Sequence, residues 1–126
     1  MTMNFVEISK LGHTWLIDLD GTIVQHNGHK KSGDKLLPGI SEFWKQIPEK
    51  DVIIVLSARL ESEKEVALSY LQQCGLRYDH AIFNLPHGER ILINDKKPSG
   101  LLTAISINVE RDNGIENYSI ALRKDL

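Results

Sequence analysis

The run Trp15-Leu16-Ile17-Asp18-Leu19-Asp20-Gly21-Thr22 constrains the chain more than any other stretch. Three apolar residues drive into two carboxylates one residue apart, followed by a glycine and a hydroxyl. Alternate side chains of a strand share a face, so Asp18 and Asp20 project to one side and Leu19 to the other. Two like charges at that spacing repel unless a cation sits between them or one keeps its proton. A folding core has no use for such a pair. A chemical site has two uses: holding Mg²⁺, and dividing the labour of nucleophile and general acid/base between two carboxylates. The bland alternative is an acidic turn at a strand end, with Gly21 reversing the chain. The elements downstream decide between the two.

With 126 residues the chain is expected to form one domain, 1–126, large enough for a real core in an α/β layer structure. A hydrophobic share of 41% and a charged share of 25% are ordinary for a globular chain. The net charge of −2 predicts no broad attraction to nucleic acid or to an anionic membrane. Cys74 stands alone, which permits no intrachain disulfide and fits a reducing compartment. Met1–Gly12 lacks a long apolar leader and no stretch has membrane-spanning length, so the expectation is a cytoplasmic chain.

Hydrophobic periodicity orders the rest. Phe5-Val6-Glu7-Ile8 is either a short edge strand or a tail that docks on a neighbour. A strand over about 14–19 ends at the acidic pair, and a polar loop follows over 25–34. His26 and His29 in that loop lack the further ligands of a metal site and read as solvated, and Lys30-Lys31 as surface charge. Ile40, Phe43, Trp44 and Ile47 have the spacing of a buried helix face over about 39–47, which makes Trp44 a core residue. Val52-Ile53-Ile54-Val55-Leu56 suits a parallel strand covered on both faces, ending at Ser57-Ala58-Arg59. A helix over about 61–74 sets Val66, Tyr70, Leu71 and Cys74 on one side, with Gly75 as its cap. A third strand is expected over 79–83. A fourth, Ile91-Leu92-Ile93, ends at Asn94-Asp95 and leads through Lys96–Gly100 to a brief helical segment. A half-exposed fifth strand over 105–109 and a weak amphipathic helix over about 115–124 complete the chain.

This alternation implies an α/β fold, a parallel sheet with helices on both faces. Ligands of such sheets bind beyond the carboxyl ends of the strands. Asp18/Asp20, Ser57 and Asn94/Asp95 each follow an expected strand, so three polar landmarks converge on one edge.

Those landmarks carry a resemblance. Asp18-Leu19-Asp20-Gly21-Thr22 resembles the first motif of the haloacid dehalogenase (HAD) phosphatase superfamily, Leu56-Ser57-Ala58-Arg59 its second and Ile93-Asn94-Asp95 its fourth. The similarity runs in order over about 14–110. It implies a HAD-like, Rossmann-like domain, and neither 25–37 nor the stretch after Ser57 leaves room for a cap domain. It implies a Mg²⁺-dependent phosphomonoesterase in which Asp18 attacks phosphorus and forms an aspartyl-phosphate. Asp20 would protonate the leaving alcohol and then take a proton from water, and Ser57 would hydrogen-bond a phosphoryl oxygen. Asp18, Asp20 and Asp95, with Asn94 beside it, would hold the Mg²⁺, while Gly21, Thr22, Ala58 and Arg59 would contact substrate. Phosphoryl transfer asks for such in-line positioning and for neutralisation of spread negative charge.

The sequence departs from the family at the third motif, a lysine that pairs with nucleophile and phosphate. Asn84-Leu85-Pro86 stands where related short phosphatases lead one to look for Gly-Lys-Pro. Arg90 would enter at the far end of the fourth strand, whereas Lys96 and Lys97 directly follow the metal aspartate and are the favoured replacements. The resemblance extends to small HAD proteins of sugar and capsule biosynthesis, which implies a sugar phosphate or similar small phosphate ester as substrate. A site without a cap is open to a large substrate or to a lid from a second copy of the chain. Two other classes compete. One is a catalytically weak HAD-like domain that binds a phosphorylated ligand or protein, which the missing lysine favours. The other is a response-regulator-like receiver, which the two aspartates on one strand oppose.

Overall fold

The computed structural model describes residues 2–126 and is an α/β fold whose strand pairs are all parallel. Strands β1 (Asn4–Ile8), β2 (Thr14–Asp18), β3 (Val52–Leu56), β4 (His80–Ile82) and β5 (Tyr118–Leu122) are joined by helices α1 (Ile40–Gln46) and α2 (Lys64–Gln73). Short 3-10 turns occupy Gly28–Lys30 and Glu61–Glu63. The strands form two sheets rather than the expected one: β2-β3-β4 and β1-β5.

In the larger sheet Thr14–Asp18 lies beside Val52–Leu56, and Ile54–Leu56 beside His80–Ile82. Because all three run the same way, Asp18, Ser57 and Phe83 leave the sheet at one edge. Ile53 and Val55 of β3 are fully buried while Ile54 and Leu56 are partly exposed, so this strand is covered more on one face than the other. The helix predicted over 39–47 forms with Ile40, Phe43 and Trp44 inward. Trp44 is core as expected and donates Nε1–H to the Arg77 carbonyl at 2.8 Å. Trp15 meets Phe43 edge-on, centroids 5.9 Å apart. In α2 the buried residues are Ala67 and Leu71, and Val66 points to solvent instead of into the expected stripe. Gly75, at φ +75°, ends α2 as predicted, donating N–H to the Gln72 carbonyl while Leu76 donates to that of Leu71.

The second half of the chain differs from expectation. Ile91-Leu92-Ile93 forms no strand, and Ile91 and Ile93 are 84% and 90% exposed. A further parallel strand needs a crossover of about a dozen residues. Only residues 83–90, without a helix, separate this run from β4. The segments expected as a helix after Gly100 and a strand over 105–109 are likewise irregular and largely exposed. The expected helix over 115–124 is replaced by β5. Tyr118, Ile120 and Leu122 alternate with Ser119 and Ala121, and β1 offers a strand to pair with, Asn4 opposite Tyr118 through Ile8 opposite Leu122. The open alternative for residues 5–8 is thereby settled as a strand.

An interlock holds this late segment to α1. Ile115 donates N–H to the Pro38 carbonyl at 2.9 Å. Gly39 and Gly114, at φ +80° and +77°, approach so closely that a Cβ on either would strike the backbone of Glu116 or Pro38. On the opposite side the buried Asp51 carboxylate ties the β1–β2 connection to the start of β3. It accepts hydrogen bonds from the His13 amide (3.0 Å), His13 Nδ1 (2.7 Å) and Trp15 Nε1 (2.9 Å). Burial alone would raise the Asp51 carboxyl, but the bonds from Trp15 and His13 outweigh it and hold it below the usual range.

Candidate functional site

At the carboxyl edge of β2 and β3 lies a cleft of about 550 Å³. Asp18 and Asp20 both line it, although only Asp18 belongs to β2. Asp18 is the last residue of β2, and Gly21 at φ +82° turns the chain so that its N–H reaches the Val24 carbonyl at 2.7 Å. The turn returns the Thr22 hydroxyl to Asp18, donating to Oδ2 at 2.9 Å. The other oxygen, Oδ1, accepts from Arg90 Nη1 at 3.0 Å.

Asp20 is held differently. Arg59 donates to its Oδ2 through Nε at 3.0 Å and to its Oδ1 through Nη2 at 2.9 Å. The same guanidinium donates to Asp34 from Nη1 at 3.2 Å and Nη2 at 2.7 Å. Its side chain is only 3% exposed. Burial alone would lower the guanidinium's proton affinity, yet the bonds to Asp20 and Asp34 outweigh it and raise the group above its ordinary value. Arg59 thus fixes a carboxylate instead of standing free for the substrate contact the resemblance implied. Arg59 lines the cleft together with Ala58 and Leu60 on either side of it.

Ser57 is buried and does not line the cleft. Its Oγ accepts the Arg59 amide at 3.0 Å, and its own amide and carbonyl bond to Ile82 and Leu85. The hydroxyl therefore shapes the turn that delivers Arg59, a correction to its expected place against a phosphoryl oxygen. Asn94, Asp95, Lys96 and Lys97 also lie outside the cleft. Asn94 Nδ2 donates to Thr103 Oγ1 at 2.7 Å, the Thr103 hydroxyl in turn donates to the Asp95 carbonyl, and Lys97 closes a turn with Leu101 and Gly100. Without the fourth strand nothing carries these residues to the edge where Asp18 ends. The basic residue that reaches Asp18 is Arg90, in place of the favoured Lys96 or Lys97.

The structure does not gather the three carboxylates that the resemblance assigns to Mg²⁺. An octahedral ion takes several oxygen ligands; Asp18 and Asp20 share the cleft, each of their oxygens accepting one hydrogen bond from Thr22, Arg90 or Arg59, but Asp95 is elsewhere. Among the described residues no group of three or more His, Cys, Asp or Glu side chains is placed to hold a metal ion.

The loop read as solvated supplies a wall of the cleft. His26, Asn27, His29 and Lys30 line it, and His29 Nε2 stands 3.0 Å from Glu63 Oε2. Asp34 and Arg111 were not legible as site residues either. Asp34 follows a glycine in a polar loop, and Arg111 precedes Asn113-Gly114, a turn signal that would have broken the chain there and set Arg111 beside it. No helix among the described residues is long and apolar enough to cross a membrane. The chain matches no protein-family model, no curated protein and no solved structure.

Proposed function

We propose that the cleft is a phosphate-ester site and that the protein is a phosphomonoester hydrolase working through Asp18, of the HAD type its motifs resemble. The observation that carries this is the meeting of Asp18 and Asp20 in one cleft with Arg90 on Asp18 Oδ1. A carboxylate approaching a phosphate needs a cation beside it to offset repulsion, and an arginine fork matches phosphate oxygens.

In the first half-reaction Asp18 attacks phosphorus, the ester P–O bond breaks, and Asp20, once it has parted from Arg59 and taken up a proton from solvent, protonates the leaving alcohol. In the second, water attacks the aspartyl-phosphate, Asp20 takes its proton, and phosphate leaves with Asp18 restored. Thr22 fixes the Asp18 carboxylate, so the nucleophile need not be ordered when substrate arrives, and Arg59 holds Asp20 at the cleft until it takes up its proton. A sugar phosphate or similar small ester suits a cleft of this size. Arg59 and Asp34 serve as positioning residues.

The test is phosphate release from a panel of sugar phosphates and an aryl phosphate, by wild type and Asp18→Asn, in Mg²⁺ and in EDTA. Turnover that Asp18→Asn abolishes establishes the activity, and the EDTA arm shows whether the arginines suffice without a metal. A folded protein that binds phosphate esters but turns none over would instead identify a binding domain.

A further inference from the structure

The cations of the cleft are not equivalent. Arg59 is committed to Asp20 and Asp34, and Arg90 stands on Asp18. Arg111 lines the same cleft, yet among the described residues it makes no ion pair and no side-chain hydrogen bond. It is nonetheless held in place through its neighbour. Asp112 donates its amide to the Gly21 carbonyl at 2.9 Å, and its Oδ1 accepts the His26 amide at 2.7 Å. Asp112 is thereby clipped at two points, by its backbone and by its side chain, to the start of the loop that leaves β2. The Arg111 side chain then crosses the bare face of Gly21, where an added Cβ would stand 3.1 Å from its Cγ and 3.7 Å from its Nε.

A guanidinium whose backbone is pinned, whose path is kept clear by a glycine and whose charge has no partner is spare binding capacity. We propose that Arg111 is a substrate-binding residue of this cleft, gripping the anionic oxygens of the phosphate ester across from Arg90. This rests on the phosphate-ester assignment above. Arginine suits the role because its planar fork matches two phosphate oxygens at once. Lys30 also makes no ion pair among the described residues, but it offers only a point charge.

The experiment is calorimetric titration of inorganic phosphate and phenyl phosphate into wild type, Arg111→Gln, Arg111→Lys and, as a charge control outside the cleft, Lys31→Gln. The expected result is binding about tenfold weaker in Arg111→Gln, with Arg111→Lys in between and Lys31→Gln as wild type. With phenyl phosphate as substrate, KM should rise in Arg111→Gln by a similar factor while kcat changes by less than about threefold, the mark of lost binding common to ground and transition states. Equal phosphate affinity in wild type and Arg111→Gln would overturn the role of Arg111 and leave the phosphate-ester assignment standing. Wild type that neither binds phosphate nor turns over ester would overturn both.

Discussion

Arg59 grips both oxygens of Asp20 from 39 residues away, through Nε at 3.0 Å and Nη2 at 2.9 Å. The second carboxylate of the motif is thus placed by the end of the neighbouring strand and not by its own turn alone. Asp34 completes the fork from the loop wall.

Arg59→Leu should therefore destabilise the protein by about 3–5 kcal/mol, because it strands Asp34 and Asp20 with no counter-charge. Urea unfolding followed by circular dichroism measures this. A loss under about 1 kcal/mol, the range of an exposed pair, would mean that the network is not held in solution.

The acid response should centre on Asp51. Its folded carboxyl lies below the ordinary value of 3.8, so its stabilisation is present above that value and is lost as pH falls through the folded one. Thermal melts from pH 6 down to pH 2 should fall less steeply for Asp51→Asn than for wild type. Parallel curves would show that the links to His13 and Trp15 do not persist.

Arg90 and the two lysines should separate cleanly. Arg90→Gln should lower kcat by about a hundredfold, as removal of one positioned donor does, while Lys96→Gln and Lys97→Gln stay near wild type. Steady-state kinetics on the best ester decides it. The reverse ranking would place the lysines, and not Arg90, beside Asp18 in the working enzyme.

Gly114→Ala should cost about 2–3 kcal/mol or more, combining a left-handed φ with a collision against Pro38. Gly33→Ala shares the positive φ but meets nothing within 4 Å, so it should cost less. Comparing their urea midpoints isolates the collision.

The legible parts of this chain were those whose information is local. The Trp15–Thr22 run announces a strand, a turn and an acidic pair within eight letters, and the spacing of Ile40, Phe43 and Trp44 announces a helix face. β5 was misread because its residues fit a weak helix as well as a strand, and only β1, at the other end of the chain, decides between them. Ile91-Leu92-Ile93 failed for the converse reason. Its composition is that of a strand, but no neighbour accepts its hydrogen bonds. The site followed the same division. Asp18 and Asp20 share one short motif and were evident, whereas Arg90, Arg111 and Asp34 arrive through connections whose course no short motif encodes.

The pairing of Asn4–Ile8 with Tyr118–Leu122 sets an order of events at the ribosome. β1 is made before the other elements of this fold, and its partner β5 after all of them. Throughout that interval Val6 and Ile8 belong to a strand with an open edge, the condition under which nascent chains join the wrong neighbour. The clip of Asp112 on Gly21 also waits for the late segment, so a half-made chain carries the acidic pair without Arg111 in the cleft. Assembly of the cleft thereby waits on the segment around Asp112.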